Sequence, residues 1–231
     1  TRFCDAECWT LEAAYTYDYC DGPGVDNGKY YWKVVHAPPQ AASYLGMIIP
    51  DEHSVWFCPQ SPCNYGVWKF AWFEVNIFGE DSCWASDTVT IHNFEPPTVE
   101  IAEDLIEFCE DDADCFTFML SATPHQYCQV EDVYSCYEWT YYSADGWTAT
   151  FTDPYAAETE VCIVLSKDAC HGYGEWMFYF TEKNGDCCMP TDNGYACCED
   201  TDSVAVVIYE QPHADAGDDF FACIADVAST Y

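Results

Sequence analysis

The 231-residue sequence predicts an all-β protein: two tandem β-sandwiches followed by a C-terminal strand extension. Three observations carry this. Short runs rich in Val, Thr, Tyr, Phe and Trp alternate apolar with polar residues, and Gly, Pro or Asp close each run. No segment sustains the 3.6-residue apolar period of an amphipathic helix, so helices are expected to be short or absent. The chain also repeats itself. "YGVWKFAWFEVN" (Tyr65–Asn76) and "YGEWMFYFTEKN" (Tyr173–Asn184) share Y-G-x-W-x-F and E-x-N. Each is followed by a cysteine-bearing turn, then D-[TS]-V, an alternating strand and E-x-P.

Taken in order, the first sandwich is expected over residues 1–96. It opens on "TRFCDAECWTLEAA" and lacks most of a leading strand. "CWTLEAAYT" and "YYWKVV" supply the next strands, and the Tyr65 run and "DTVTIHNF" close the unit. Pro96 and Pro97 mark the hand-over. The second sandwich, 97–212, begins with the strand "TVEIAEDLIEFC" that the first unit is missing. "CFTFMLSAT" parallels "CWTLEAAYT", and "YEWTYY" parallels "YYWKVV". Trp32 and Trp139 fall at equivalent places and suit the buried central-strand aromatic of a sandwich. Trp68 and Trp72 also sit at strand positions, which favours core over a sugar-stacking platform. "EDLIEF" is too brief for a helix.

Residues 213–231 form the tail. Its "HADAGDDFFAC" looks like another leading strand with nothing after it to pair with. A sandwich without its first strand exposes an edge, a template for strand addition. Filled by the tail of a neighbour, through Ala214, Asp215, Ala216, Gly217, Asp218, Asp219, Phe220, Phe221 and Cys223, that edge makes a heterologous, head-to-tail contact that propagates into a fibre. The same pattern arises in an excerpt of a longer tandem array. There the expected role is an adhesin or binding segment recognising glycans or host proteins. The initial Thr suits a mature or excised chain.

Composition narrows the partners. Six basic residues against 41 acidic give a net charge of −35, which excludes nucleic acid and anionic lipid surfaces. No apolar run is long enough to span a bilayer, and no signal peptide is present. Half of the residues are hydrophobic and 18% aromatic, ample for packed cores and against disorder. Seventeen cysteines point to an oxidising location and a disulfide framework. C-x-x-C knuckles are absent, so disulfides fit better than zinc at "CCMPTDNGYACC". Local spacing favours Cys58–Cys63, Cys128–Cys136, Cys162–Cys170, and Cys187 and Cys188 with Cys197 and Cys198. Sequence does not fix the connectivity. The first unit holds six cysteines and the second ten, which leaves Cys223 over for a bond to a neighbouring subunit near Cys4 or Cys8.

"DTVTIHNFEPPTVEIAED" and "DSVAVVIYEQPHADAGDD", with "GVWKFAWFEVN" and "GEWMFYFTEKN" before them, resemble the immunoglobulin-like or PKD-like tandem repeats of large surface proteins of Bacteroidota. "ATFTDPYAAETEV" (Ala149–Val161) resembles the middle strands of those repeats. The resemblance implies immunoglobulin-like sandwiches, a secreted or cell-surface location, a role in adhesion, matrix or fibres, and no catalysis. It also implies O-glycosylation at Asp-Ser/Thr-aliphatic, which marks Thr88 and Ser203 as candidates. The alternative is that each is the first polar residue of an edge strand.

Carboxylates crowd the unit joints. Asp200, Asp202, Asp215, Asp218 and Asp219 are the candidates for Ca²⁺, which takes six to eight oxygens; the alternative is solvated turns. No other cofactor is expected. The six histidines are scattered, and no G-x-S-x-G, H-E-x-x-H or P-loop occurs. Nothing singles out a carboxylate pair for glycoside hydrolysis, so no enzyme is expected. The reading is a structural subunit of an extracellular filament whose partners are copies of itself.

Overall fold

The computed structural model describes residues 2–13, 29–50, 53–60, 63–78, 81–109, 115–128, 135–143, 147–164, 173–185, 188 and 197–212. The protein is built almost wholly of strands. Alternation is the cause: residues one apart point to opposite faces of a sheet, so the period-2 runs can bury only one side.

In the N-terminal half, β1 (Arg2–Cys4), β2 (Trp9–Glu12), β3 (Lys29–His36), β4 (Ile48–Pro50), β5 (Ser54–Phe57), β6 (Gly66–Phe78) and β7 (Asp81–Phe94) make two sheets. One has the order β1-β7-β6-β3-β4, and the other pairs β2 with β5. A short 3-10 helix, Pro39–Tyr44, lies between β3 and β4. The C-terminal half contains β8 (Leu105–Cys109), β9 (Cys115–Ser121), β10 (Ser135–Ser143), β11 (Ala149–Phe151), β12 (Glu158–Val164), β13 (Gly174–Gly185) and β14 (Cys197–Tyr209). Its sheets run β10-β13-β14-β8 and β11-β12-β9.

This is the immunoglobulin plan. β9, β12 and β11 stand as strands B, E and D on one sheet, and β10, β13 and β14 as C, F and G on the other. Trp139, 2% exposed, occupies the central-strand position on β10. Its core joins Phe116, Phe118 and Leu120 of β9 and Val161 and Ile163 of β12 to Trp176, Phe178 and Phe180 of β13 and Val204 and Val206 of β14. The N-terminal core repeats the scheme with Trp9, Leu11 and Phe57 against Trp32, Trp68, Phe70, Trp72 and Ile91. The glycine of the repeated Y-G-x-W motif opens β6 and β13 with φ of 122° at Gly66 and 109° at Gly174. At Gly66 a Cβ would also come within 3.0 Å of Pro38.

The disulfides correct the pairing read from local spacing. Cys58 bonds Cys8 and Cys63 bonds Cys128, so Cys58–Cys63 and Cys128–Cys136 do not form. Cys162 bonds Cys115, not Cys170; Cys188 bonds Cys136, and Cys198 bonds Cys4. Cys197 is disulfide-bonded as well, whereas Cys20, Cys170, Cys187 and Cys223 lie outside the described residues. Strand pairing is the reason. β2 and β5 run antiparallel with Trp9 opposite Phe57, which brings Cys8 beside Cys58 across 50 residues of chain. Cys8–Cys58 and Cys115–Cys162 are counterparts, each tying strand B to strand E within one sheet. Two bridges, Cys4–Cys198 and Cys63–Cys128, cross between the halves, so the even count in each half did not mean pairing within it.

The core makes a direct prediction. Phe178 is fully buried between Phe118, Tyr141, Phe151 and Trp176. Phe178→Ala is expected to cost about 3–5 kcal/mol in urea unfolding with the disulfides intact. Met119→Ala, on the exposed face of β9, is expected to stay within about 0.5 kcal/mol.

Candidate functional site

The two halves treat the outer edge of their last strand differently. In the C-terminal half, residues 95–104 run along the start of β14 before β8 pairs with its end. Val99 N donates to Asp200 Oδ2 at 3.0 Å and Ile101 N to Asp202 Oδ2 at 2.8 Å. Ala205 N then donates to Asp104 O at 3.0 Å, and β8 continues in parallel from Leu105 opposite Ala205 to Cys109 opposite Tyr209. This crossing chain lays Val99, Ile101, Ile106 and Phe108 onto the core.

In the N-terminal half, β1 pairs in parallel with β7 only from Arg2 opposite His92 to Cys4 opposite Phe94. In the repeat register these are the last three of the five positions that β8 fills. Among the described residues nothing covers the rest of that edge, and two adjoining clefts stand there. One, of about 300 Å³, is lined by Glu12, Ala13, Trp32, Trp72, Asp87, Thr88 and Val89. The other, of about 400 Å³, lies between Phe3, Thr10, Leu11, Glu12, Val89 and Ile91. Their floor is the counterpart of the surface that Ile101 and Ile106 cover in the other half.

Asp87 shows how the edge would be used. Asp202 Oδ1 accepts Ser203 N at 2.8 Å while its Oδ2 accepts the crossing Ile101 N. Asp87 repeats the first contact, with Thr88 N donating to Oδ1 at 2.7 Å. Trp32 lines the same cleft. It is 3% exposed, and its buried indole N–H meets no acceptor among the described residues; the indole of its counterpart Trp139 donates to Ala156 O at 3.0 Å. Sequence reading took D-T-V and D-S-V as modification motifs. The structure adds that the aspartate of each is oriented by its own hydroxyl residue's N–H. The repeat of the Asp itself was the available signal. Thr88 is exposed on β7 and Ser203 half-buried on β14.

The other expected site residues divide plainly. Asp200 and Asp202 serve as acceptors for the crossing chain. Ala214, Asp215, Ala216, Gly217, Asp218, Asp219, Phe220, Phe221 and Cys223 lie outside the described residues. Among the described residues, Cys63, Glu95 and Cys128 are the one grouping of three potential metal ligands, and its two cysteines are joined to each other. No helix among the described residues is long and apolar enough to cross a membrane.

Where the halves meet, polar groups are buried and paired. Glu182 is fully buried; it accepts His125 N at 2.8 Å and Tyr127 OH at 2.7 Å. Glu95 accepts Cys128 N at 2.8 Å and contacts His125 Nε2 at 3.1 Å, and its backbone O accepts Asn184 Nδ2 at 2.8 Å. Gln40 Nε2 donates to Cys128 O at 2.7 Å. Each carboxylate thus has at least two donors, the condition under which a buried acid is tolerated. Sequence reading missed this cluster because its members lie up to 89 residues apart.

No protein-family model matches the chain, and no curated protein matches it. Solved structures similar to it include a Dpr2 Ig1-Ig2 complex with DIP-Theta Ig1-Ig3 at 11% identity and TM-score 0.29, covering 91% of this chain and 61% of that one. The chain therefore spans 61% of the length of that structure's chain. Human mucin-like protocadherin EC1-2 is 11% identical with TM-score 0.36 over 89% of this chain and 100% of that one. Amphioxus IgVJ-C2 is 14% identical with TM-score 0.39 over 87% and 96%. At these scores superposition carries no argument, and the immunoglobulin plan rests on the strand order given above.

The joint predicts an alkaline signature. Burial, then the hydrogen bond to Glu182, pushes the Tyr127 phenol well above its usual range. A phenol raised on folding contributes its stability in full below about pH 10 and loses it as pH climbs through the folded value. Unfolding midpoints measured between pH 8 and 12 are expected to fall less steeply for Tyr127→Phe than for the wild type. Equal slopes would remove Tyr127 as a source of the alkaline loss.

Proposed function

We propose that the protein is a structural subunit of an extracellular filament. The C-terminal tail of one copy, through Ala214 to Phe221, fills the open edge of the first sandwich of the next. The observation that carries this is the cleft along β7, in register with the edge that residues 95–109 cover in the second sandwich.

The register can be written from the repeat. Glu210 to Asp219 align with Glu95 to Asp104, which sets Ala216 at the position of Ile101. Side-chain sizes fit that placement. Ile101 belongs to the core that contains Phe180, and at the repeat position of Phe180 the first sandwich has the larger Trp72, which lines the cleft. The smaller Ala216 over the larger Trp72 conserves volume, the substitution pattern a close-packed interface tolerates best. Asp87 would accept the Ala216 N–H as Asp202 accepts that of Ile101. Backbone pairing then supplies affinity and the alternate side chains supply specificity.

The five disulfides with both partners described suit an oxidising, extracellular setting. At −35 per chain, copies repel one another, and salt or divalent cations, Ca²⁺ among them, would ease their approach. No catalytic step is proposed.

Negative-stain electron microscopy of the full chain beside one ending at Pro212 tests the reading. Fibres are expected from the full chain, none from the shorter one, and none from Ala216→Pro, which has no N–H to donate to Asp87. If all three stay monomeric, the strand-donation reading fails. The role as an adhesin segment of a longer array then replaces it.

A further inference from the structure

We infer that successive subunits are covalently stapled by a disulfide between Cys109 of one copy and Cys83 of the next. This rests on the head-to-tail arrangement proposed above but on different residues from the donated strand.

Cys83 and Cys109 are the two free cysteines among the described residues, and both are exposed. They are also the repeat counterparts of the two cysteines that staple the halves. Cys198 stands opposite Asn184 in the β13–β14 hairpin, and Cys83 stands opposite Asn76 in the β6–β7 hairpin. Cys4 pairs with Phe94 at the end of the parallel β1–β7 ladder, and Cys109 pairs with Tyr209 at the end of the parallel β8–β14 ladder. Within one chain, Cys4 of the first sandwich bonds Cys198 of the second, with Cα atoms 5.4 Å apart. The same end of the second sandwich carries Cys109, and the same end of the first carries Cys83. Each lies eleven residues of strand from the internal joint, roughly 35 Å at the rise of an extended chain.

Burial supports the correspondence. Phe94 and Glu95 at the internal joint are 2% and 8% exposed; their counterpart Tyr209 is 49% exposed and Glu210 is exposed. The outer end of the second sandwich is therefore a joint face without its cover. A second copy, docked as the halves already dock, would bring Cys83 to Cys109 as Cys198 is brought to Cys4.

The bond forms by thiol–disulfide exchange. One cysteine thiolate attacks a disulfide oxidant and releases one of its thiolates; the second cysteine thiolate then attacks the protein sulfur of the mixed disulfide and releases the other. Two thiols lose two protons and two electrons, and the oxidant is reduced to two thiols. Glutathione disulfide serves as the oxidant in the test.

Equal amounts of ¹⁴N- and ¹⁵N-labelled full chain would be assembled with glutathione disulfide, alkylated, digested without reduction and analysed by mass spectrometry. A linked Cys83–Cys109 peptide pair is expected in the fibres, with about half of the pairs carrying mixed isotopes, and Cys109→Ser is expected to leave Cys83 alkylated while fibres still form. Fibres in which both cysteines are alkylated would overturn the staple and leave strand donation standing. Linked peptides of matching isotope only would overturn it as well. Absence of fibres would overturn the head-to-tail arrangement and the staple with it.

Discussion

The constraint on which the structure depends is the outer edge of the last strand in each sandwich. β7 and β14 each present a row of backbone donors and acceptors beside an apolar floor, and both must be covered. In the second sandwich one continuous segment does so. Asp200 and Asp202 catch its N–H groups, Ile101 and Ile106 seal the core, and β8 completes the ladder. In the first sandwich β1 covers only the far end, and the clefts beside Asp87 and Val89 mark what is left.

The joint solves a second problem, how two strongly acidic halves can pack at all. Coulomb repulsion is answered locally. The Glu95 and Glu182 carboxylates accept from backbone N–H groups and a phenol and face an imidazole, instead of lysine or arginine. Neutral donors satisfy a carboxylate without requiring basic residues that this composition scarcely contains. The two crossing disulfides add a constraint that charge does not oppose. Removing loop-closure entropy from the unfolded chain favours the docked state most when the loop is long, and Cys4–Cys198 closes 194 residues.

Repetition places like features at the internal joint and at the ends. Four features of the internal joint have repeat counterparts at the ends: Asp87 for Asp202, Cys83 for Cys198, Cys109 for Cys4, Tyr209 for Phe94. Inside the chain Cys4 is bonded to Cys198 and Asp202 accepts Ile101 N, and Phe94 and Cys198 are buried. At the ends Asp87, Cys83, Cys109 and Tyr209 are exposed, and the proposed head-to-tail contact would continue indefinitely if its rotation did not close a ring.

The sequence by itself determined the strand class, the repeat and the core. Alternation fixes which residues face inward, and Trp32, Trp68, Trp72 and Trp139 are buried where the period places them. Only the tertiary structure decided the disulfide partners, the acceptor role of Asp87 and Asp202, and the buried Glu95–His125–Glu182 cluster. The physical reason is the same in each case. A period-2 pattern specifies a face but not a neighbour, and neighbours in an antiparallel sandwich are set by register and docking between residues 30 to 194 positions apart. Local spacing favoured Cys58 with Cys63, whereas pairing of β2 with β5 brought Cys58 to Cys8.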